Sequence, residues 1–293
     1  MKSKLPFNLK PNNKYGSVPI WNGKNFVIDN TKINVLEYSE NFSGWSDDLT
    51  FLHENALGDA HPIDVASRKY ALHQIKKSIC GETAVILEVG CSSGFMIKEL
   101  IKNFPKFIIL GADVVKEPLY KLSSEVRGVP LFRFDLLKCP LPDNSIDVLI
   151  MLNVLEHIDD DQKAIQKAYH LVKPGGHLIV EVPACPSLFD SYDKELLHFR
   201  RYKLSELENK LTNVGFVVKK KSHLGFLLFP FFSTVKLINR IFFSRNVKPV
   251  VKRRASATSS NFIVSFITRF ESMYMSEMSL PIGIRAVINA KKL

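Results

Sequence analysis

The sequence predicts an α/β protein with a central, mostly parallel sheet and helices on both of its faces. Between residues 84 and 182, short runs rich in β-branched residues alternate with segments of helical periodicity. Several of these runs are apolar on consecutive residues, which is typical of strands buried on both faces. Alternation of strand and helix favours parallel strands joined by crossover helices.

Seven strands can be placed along the chain. The alternating region contributes five, and two more follow it, so that the predicted strands lie at 84–89, 106–113, 130–135, 146–152, 176–182, 215–221 and 283–290. A helix is predicted to begin at Pro62, a residue suited to the first helical turn, and another covers 204–213. We therefore expect a seven-stranded sheet flanked by helices.

The same patterns divide the chain into four parts. Residues 1–60 are rich in Asn, Lys, Pro and Gly and are expected to form an irregular extension. The α/β core covers 61–222, and its final strand lies in 281–293. Between them, 223–280 is expected to be an apolar and basic helical insertion.

Composition bounds the class of protein. The 293 residues are 46% hydrophobic, which is enough for a sizeable core. The four cysteines lie far apart without a CxxC pair, which predicts neither a disulfide framework nor a metal site. The basic N-terminus does not run into an apolar stretch, so no signal peptide is predicted. We expect a cytoplasmic protein.

The net charge of +11 is concentrated in one segment. Residues 217–254 contain no acidic residue and ten basic ones, namely Lys219, Lys220, Lys221, Lys236, Arg240, Arg245, Lys248, Lys252, Arg253 and Arg254. They surround the apolar run 224–243, whose length approaches the ~20 residues of a bilayer span. Pro230, Lys236 and Arg240 interrupt that run, which favours a helix or hairpin lying on an anionic membrane surface. A buried cap over the active site and an RNA contact are the alternatives.

A glycine turn follows the first strand of the alternating region. Gly90 and Gly94 bracket this turn, a helix is predicted to follow from Phe95, and the absence of a glycine Cβ lets a ligand approach the backbone. The turn lacks the G-x-G-x-x-G pattern of pyrophosphate loops, which weighs against NAD and FAD. Asp113 ends the second strand, where a carboxylate can accept hydrogen bonds from ribose hydroxyls. A structural turn and a capping aspartate are the alternatives.

With residues 140–160 and 171–183, these motifs resemble class I S-adenosylmethionine-dependent methyltransferases of type 11/12, which have a Rossmann-like fold. The resemblance implies that Glu88, Gly90 and Gly94 line the methionine part of the donor and that Asp113 binds its ribose. It assigns the adenine to Asp135 and Leu136, and completes the donor site with Cys91, Val114 and Asn153. Ser92 replaces a glycine that is common in the motif.

The stretch 187–207 is similar to the D…D…H-x-R-R-Y segment of methyltransferases from polysaccharide and lipid-linked glycan pathways. The resemblance implies that it faces the acceptor, with Asp190 among its candidates. His198 is the predicted general base, because its pKa lies near neutrality, and Asp193 would orient it. The predicted acceptor-binding residues are Arg200, Arg201 and Tyr202. A solvated helix start with ion-paired arginines is the alternative.

The predicted function is methyl transfer from S-adenosylmethionine to a hydroxyl of a glycan, lipid-linked or isoprenoid acceptor, without a metal ion. The partners expected are the donor, that acceptor and an anionic membrane surface at the inner face of the membrane; nucleic acid is a weaker expectation. RNA methylation, quinone-type small-molecule methylation and a non-enzymatic adenosine-binding module are the alternatives.

Overall fold

A computed structural model describes residues 3–12, 16–38, 60–242, 262–274 and 277–293. In chain order the strands are β1 (Ile20–Trp21), β2 (Phe26–Ile28), β3 (Thr31–Ile33), β4 (Val35–Glu37), β5 (Val85–Val89), β6 (Ile108–Asp113), β7 (Leu131–Arg133), β8 (Ile146–Leu152), β9 (Val172–Pro183), β10 (Phe216–Leu224) and β11 (Arg285–Lys292). The helices are α1 (Pro62–Ser78), α2 (Phe95–Asn103), α3 (Lys116–Glu125), α4 (Asp161–Leu171), α5 (Ser191–Glu195), α6 (Leu204–Val214), α7 (Phe229–Phe242) and α8 (Phe262–Tyr274).

The central sheet has eight strands in the order β10-β11-β9-β8-β5-β6-β7-β4. All neighbours from β9 to β4 are parallel, whereas β11 is antiparallel to both β9 and β10. Strands β1, β2 and β3 form a separate antiparallel sheet. The prediction of a mostly parallel α/β sheet is confirmed, and each of the seven predicted strands forms close to its expected position.

Helices cover both faces of the sheet. On one face, Ile75 of α1, Ile97 of α2 and Leu119 of α3 pack into one buried cluster with residues of the strands. On the other face, Ile165 of α4 and Leu207 of α6 belong to a second cluster. The sheet is therefore buried on both sides, which explains why its strands are apolar on consecutive residues.

The N-terminal segment is more ordered than we expected. The prediction of an irregular segment is wrong for residues 20–37, which form four short strands. Val35 and Leu36 of β4 are fully buried and pair with Leu131 and Phe132 of β7, adding the eighth strand to the sheet. A three-residue strand is too short to produce a recognisable period, and its pairing partner lies about a hundred residues away in the chain. Residues 39–59 lie outside the described part of the chain.

The insertion contains two helices, α7 and α8, in its described residues. The carboxylate of Glu271 on α8 accepts hydrogen bonds from the backbone N–H groups of Gly225 (2.7 Å) and Leu227 (3.0 Å), so α8 holds the chain that leads into α7. Within the described ranges, neither α7 nor α8, nor any other helix, has the length and apolar character needed to cross a bilayer.

Candidate active site

The turn between β5 and α2 has the backbone that its glycines predict. Gly90 and Gly94 have φ angles of 78° and 73°, in the left-handed region. A Cβ on Gly90 would lie 2.6 Å from the Cγ2 atom of Val154, so only glycine fits there. Ser92 also adopts a left-handed backbone, with φ 43°. The serine that replaces a common glycine of the motif therefore keeps a glycine-like conformation.

Asp113 joins this turn to the end of β6. Its Oδ2 atom accepts a hydrogen bond of 2.8 Å from the backbone N–H of Ser92, and its Oδ1 atom accepts one of 2.9 Å from Val115. Burial and the charge of Asp113 raise the pKa of the neighbouring Glu88 well above its ordinary value. The carboxyl groups at the ends of β5 and β6 thus lie at one edge of the sheet, as expected for parallel neighbours.

The other predicted donor residues surround the same edge. Asp135 caps the short helix 136–138 by accepting a hydrogen bond of 2.9 Å from the N–H of Leu137, and Leu136 is buried beneath it. The carbonyl of Val114 accepts a hydrogen bond of 3.0 Å from Arg133. Cys91 belongs to the buried apolar cluster, and its backbone N–H donates a hydrogen bond of 3.1 Å to the carbonyl of Ala112.

Sequence reasoning missed a polar network that anchors Asn153. This residue follows β8 with a left-handed φ of 54°, and its Nδ2 atom donates to Glu181 Oε1 on β9 at 3.2 Å. Arg285 on β11 donates to the same oxygen at 2.8 Å and also pairs with Asp64 on α1. Glu181 is a carboxylate inside the apolar run of the fifth predicted strand, and it was the one sign in the sequence of a buried polar network. Its partner Arg285 could not be identified, because it lies about a hundred residues away in the chain.

The stretch predicted to face the acceptor forms a charged cluster beyond β9. His198 Nδ1 lies 3.0 Å from Asp193 Oδ1, and Arg201 Nε donates to the same oxygen at 2.8 Å. Burial alone would raise the pKa of Asp193, but the hydrogen bond from His198 and the nearby cations hold it well below its usual range. Burial lowers the pKa of His198, and Asp193 offsets only part of that effect. The ring is therefore neutral at pH 7, with Asp193 placed to orient it.

The three predicted acceptor-binding residues have partners within the protein. Tyr202 is fully buried, and its hydroxyl donates to Asp161 Oδ2 at 2.8 Å. Arg201 is also buried and donates to the carbonyl of Ala184 at 3.1 Å. Arg200 is partly exposed and pairs with Asp159 and Asp161. Arg201 and Tyr202 are therefore buried inside the protein, whereas the resemblance implies that they face the acceptor.

The insertion contributes Lys236 to this charged cluster, although the sequence predicts that its basic residues face a membrane surface. Lys236 of α7 is buried and donates to Asp190 Oδ1 at 2.7 Å and to Asp193 Oδ2 at 3.0 Å. The prediction that this lysine contacts anionic lipid is therefore wrong. Burying an ammonium group requires carboxylate partners, and the aspartates provide them.

Glu156 and His157 lie beside the cluster. The ring of His157 meets that of His198 edge to face, with 4.7 Å between the ring centroids. Burial raises the pKa of Glu156 to about 8, and within the described residues its carboxyl oxygens have no hydrogen-bond partner. Ligand atoms of Glu156, His157 and His198 all lie within 4.8 Å of one another, a spacing that would suit a cation. That no metal is needed stays a prediction.

Comparisons with known proteins agree with this arrangement. Residues 87–180 match the family model described as a methyltransferase domain. A probable S-adenosylmethionine-dependent methyltransferase of Mycolicibacterium smegmatis is 28% identical over 136 residues, which are 46% of this chain and 52% of that protein. One from Mycobacterium tuberculosis is 25% identical over 174 residues, or 58% of this chain and 62% of that protein. The chain thus spans between half and two thirds of the length of these curated relatives.

A solved structure shares the fold at low sequence identity. A putative sarcosine dimethylglycine methyltransferase from Galdieria sulphuraria has a TM-score of 0.58 and 17% identity, over 84% of this chain and 98% of that one. The glycine turn and the carboxylate at the end of β6 lie within or beside the segment that the family model covers. Residues 87–180 therefore match a methyltransferase domain, and the chain is similar to probable S-adenosylmethionine-dependent methyltransferases over about half of its length.

Proposed function

We propose that this protein transfers a methyl group from S-adenosylmethionine to a hydroxyl of a glycan, lipid-linked or isoprenoid acceptor. The observation that carries the proposal is the placement of two sets of groups at one edge of the sheet. The donor set follows β5, β6 and β8, whereas the dyad of His198 and Asp193 lies beyond the end of β9. In this proposal residues 61–222 and 281–293 form the catalytic core, to whose sheet β4 adds an edge strand; the rest of 1–60 is an N-terminal extension and 223–280 an insertion.

The reaction mainly requires that donor and acceptor be aligned and that the acceptor hydroxyl lose its proton. The sulfonium of the donor makes its methyl group reactive, so holding donor and acceptor in line supplies much of the rate enhancement. An acceptor hydroxyl loses its proton as the new bond to carbon forms. His198 is suited to accept that proton at Nε2, because its Nδ1 atom faces Asp193 and its ring is neutral at pH 7.

Exposed apolar side chains on the insertion support a lipid-bearing acceptor. On α7 these include Phe231, which is 72% exposed, and Leu237; on α8 they include Phe266, which is 61% exposed, and Met273. Exposed apolar side chains of this kind suit the boundary between lipid headgroups and acyl chains. Peripheral attachment to the inner face of a membrane would bring the site to a lipid-linked substrate.

The basic residues of 217–254 contribute less to this proposal than the apolar ones of the insertion. Lys221 of β10 pairs with Glu208 at 2.5 Å, and Lys220 donates to the carbonyl of Glu277 at 2.5 Å. Lys219 is exposed, whereas the side chain of Arg240 and the residues Arg245, Lys248, Lys252, Arg253 and Arg254 lie outside the described part of the structure.

Transfer of labelled methyl groups tests the proposed reaction. Protein is incubated with methyl-labelled S-adenosylmethionine and with separate lipid, glycan and RNA fractions of a cell extract. We expect label in the lipid or glycan fraction, and loss of that label with His198→Gln but not with His170→Gln, which changes an exposed histidine at the end of α4. Label in RNA, or no label in any fraction, would refute the proposed acceptor.

Vesicle binding tests the proposed location. Sedimentation is measured with neutral phosphatidylcholine vesicles and with vesicles that also contain phosphatidylglycerol. We expect binding that weakens with Phe231→Asp and Phe266→Asp but not with Val18→Asp, a matched change at an exposed residue outside the insertion. Protein that stays in the supernatant with both vesicle types at low salt would show that the membrane proposal is wrong.

A further inference from the structure

Lys236 occupies an unusual position for a lysine of a surface insertion. Its side chain is only 5% exposed, and its ammonium group lies 5.3 Å from the ring centre of Tyr192 and 5.8 Å from that of Phe232. Its hydrogen bonds reach Asp190 and Asp193, which belong to the acceptor stretch and not to the insertion. A residue of α7 is therefore built into the charged cluster beside His198.

The contacts of Asp193 explain what Lys236 does there. The Oδ1 atom of this carboxylate faces His198 and Arg201, at 3.0 Å and 2.8 Å. The Oδ2 atom accepts the backbone N–H of Asp190 at 3.0 Å and the ammonium group of Lys236 at 3.0 Å. Each oxygen is held by its own pair of donors, so the plane of the carboxylate cannot turn without breaking several short contacts.

We propose that Lys236 is a positioning residue that orients Asp193, and through it His198, so that the insertion helix α7 is part of the active site. The inference rests on the proposed role of His198 as the proton acceptor. Lys236 does not touch the reacting atoms; it holds the carboxylate that keeps Nδ1 of His198 protonated and leaves Nε2 facing the acceptor. Methyl transfer then depends on α7 being docked against the acceptor stretch.

The charges around His198 make the proposal measurable. The ring is faced by Asp193 of α5, by Arg201, by Lys236 of α7 and by Glu156 and His157, which follow β8. The cations Arg201 and Lys236 both lower the pKa of His198. Removing the Lys236 cation should therefore raise that pKa, and the tautomer of the ring reports whether Asp193 keeps its orientation.

Four variants separate positioning from stability. Lys236→Met removes the cation and keeps much of the side-chain volume, while Lys236→Arg retains the charge. Lys236→Met combined with Asp190→Asn removes one charge of each sign, which keeps the cluster neutral if the single variant does not fold. The matched control is Lys194→Met, an exposed lysine of α5 next to Asp193.

The first readout needs no acceptor. Histidine side chains are labelled with ¹⁵N, and the ring nitrogens of His198 are followed by NMR as the pH is varied, with S-adenosylmethionine bound. We expect the pKa of His198 to rise in both Lys236→Met variants, with loss of the single Nδ1–H tautomer, and to stay unchanged in Lys236→Arg and Lys194→Met. An unchanged pKa and tautomer in folded Lys236→Met, or in the double variant, would overturn the inference.

The second readout is turnover of the extract fraction that accepts label from the wild-type protein. We expect kcat to fall by about 10-fold to 100-fold in both Lys236→Met variants, with donor affinity retained and rescue by Lys236→Arg. Wild-type kcat in these variants, with His198→Gln inactive, would overturn the inference and leave the proposed function standing. Full turnover of His198→Gln would remove His198 as the base and overturn both.

Discussion

Asp113 at the end of β6 accepts a hydrogen bond of 2.8 Å from the backbone N–H of Ser92 in the turn that follows β5. One carboxylate therefore holds the left-handed turn that follows β5, at the edge of the sheet where we propose that the donor binds. The two strands are adjacent and parallel, with Glu88 opposite Gly111, so the relationship follows directly from the strand pairing.

Replacing Asp113 by alanine should weaken binding of S-adenosylmethionine by about 100-fold, because hydrogen bonds to a charged group contribute roughly 1.5–3 kcal/mol each. Isothermal titration calorimetry measures the change, with Asp143→Ala at an exposed site as the control. Wild-type affinity in Asp113→Ala, or preferential binding of NAD by the unmodified protein, would contradict the donor assignment.

Turnover should depend on a neutral His198. Burial lowers the pKa of this ring, so the acidic limb of the kcat profile should lie below the ordinary histidine value, with the rate falling as the pH drops through that pKa and protonates the base. His198→Gln should lower kcat by roughly 100-fold, abolish this limb and retain donor affinity. Loss of donor binding in the variant would place His198 in the donor site instead.

The buried hydroxyl of Tyr202 should contribute to stability and not to acceptor binding. Tyr202→Phe removes the hydrogen bond to Asp161 and leaves a buried acceptor with one partner fewer, which should lower the free energy of unfolding by about 1–3 kcal/mol. Urea unfolding measures the loss, and Tyr120→Phe at an exposed tyrosine serves as the comparison. An increased acceptor KM with unchanged stability would restore the role that the resemblance implies.

Glu156 should make the protein less stable as the pH rises. Burial raises the folded-state pKa of this carboxyl to about 8, above its unfolded value, so its neutral form is favoured by folding. This contribution is fully present below pH ~4.5 and is lost as the pH rises through 8. Unfolding free energies of the wild type and of Glu156→Gln, measured from pH 5 to 9, should therefore diverge in slope. Parallel curves would mean that the carboxyl is ionised in the folded state.

Turnover should survive removal of divalent metal ions. The donor carries its own leaving group and His198 is placed to take the proton, so the reaction needs no Lewis acid. Activity after treatment with EDTA and gel filtration should match that of untreated protein. Loss of activity that Mg²⁺, Mn²⁺ or Zn²⁺ restores, and that Glu156→Gln or His157→Ala also causes, would instead assign a metal to the cluster of Glu156, His157 and His198.

Most of the fold could be predicted from patterns of residues that are close together in the sequence. Five buried strands, the glycine turn and Asp113 could be placed because each depends on residues that are close in the chain. Strand β4 could not, because three residues show no period and their stability depends on burial against β7. The segment predicted to face the acceptor could be recognised from its motif, but Arg201 and Tyr202 are buried, since a motif does not reveal which way a side chain packs.

By itself, therefore, the sequence determined the α/β class, the seven strands from residue 84 onward and the residues of the glycine turn. These depend on hydrophobic periodicity and on backbone conformations that individual residues prefer. Only the tertiary structure decided that Lys236 is buried against Asp190 and Asp193, and that Arg285 pairs with Glu181 and Asp64. A basic residue in a charged segment looks solvated until folding brings a carboxylate from a distant segment to it, because the cost of burying a charge is recovered only by a partner in space.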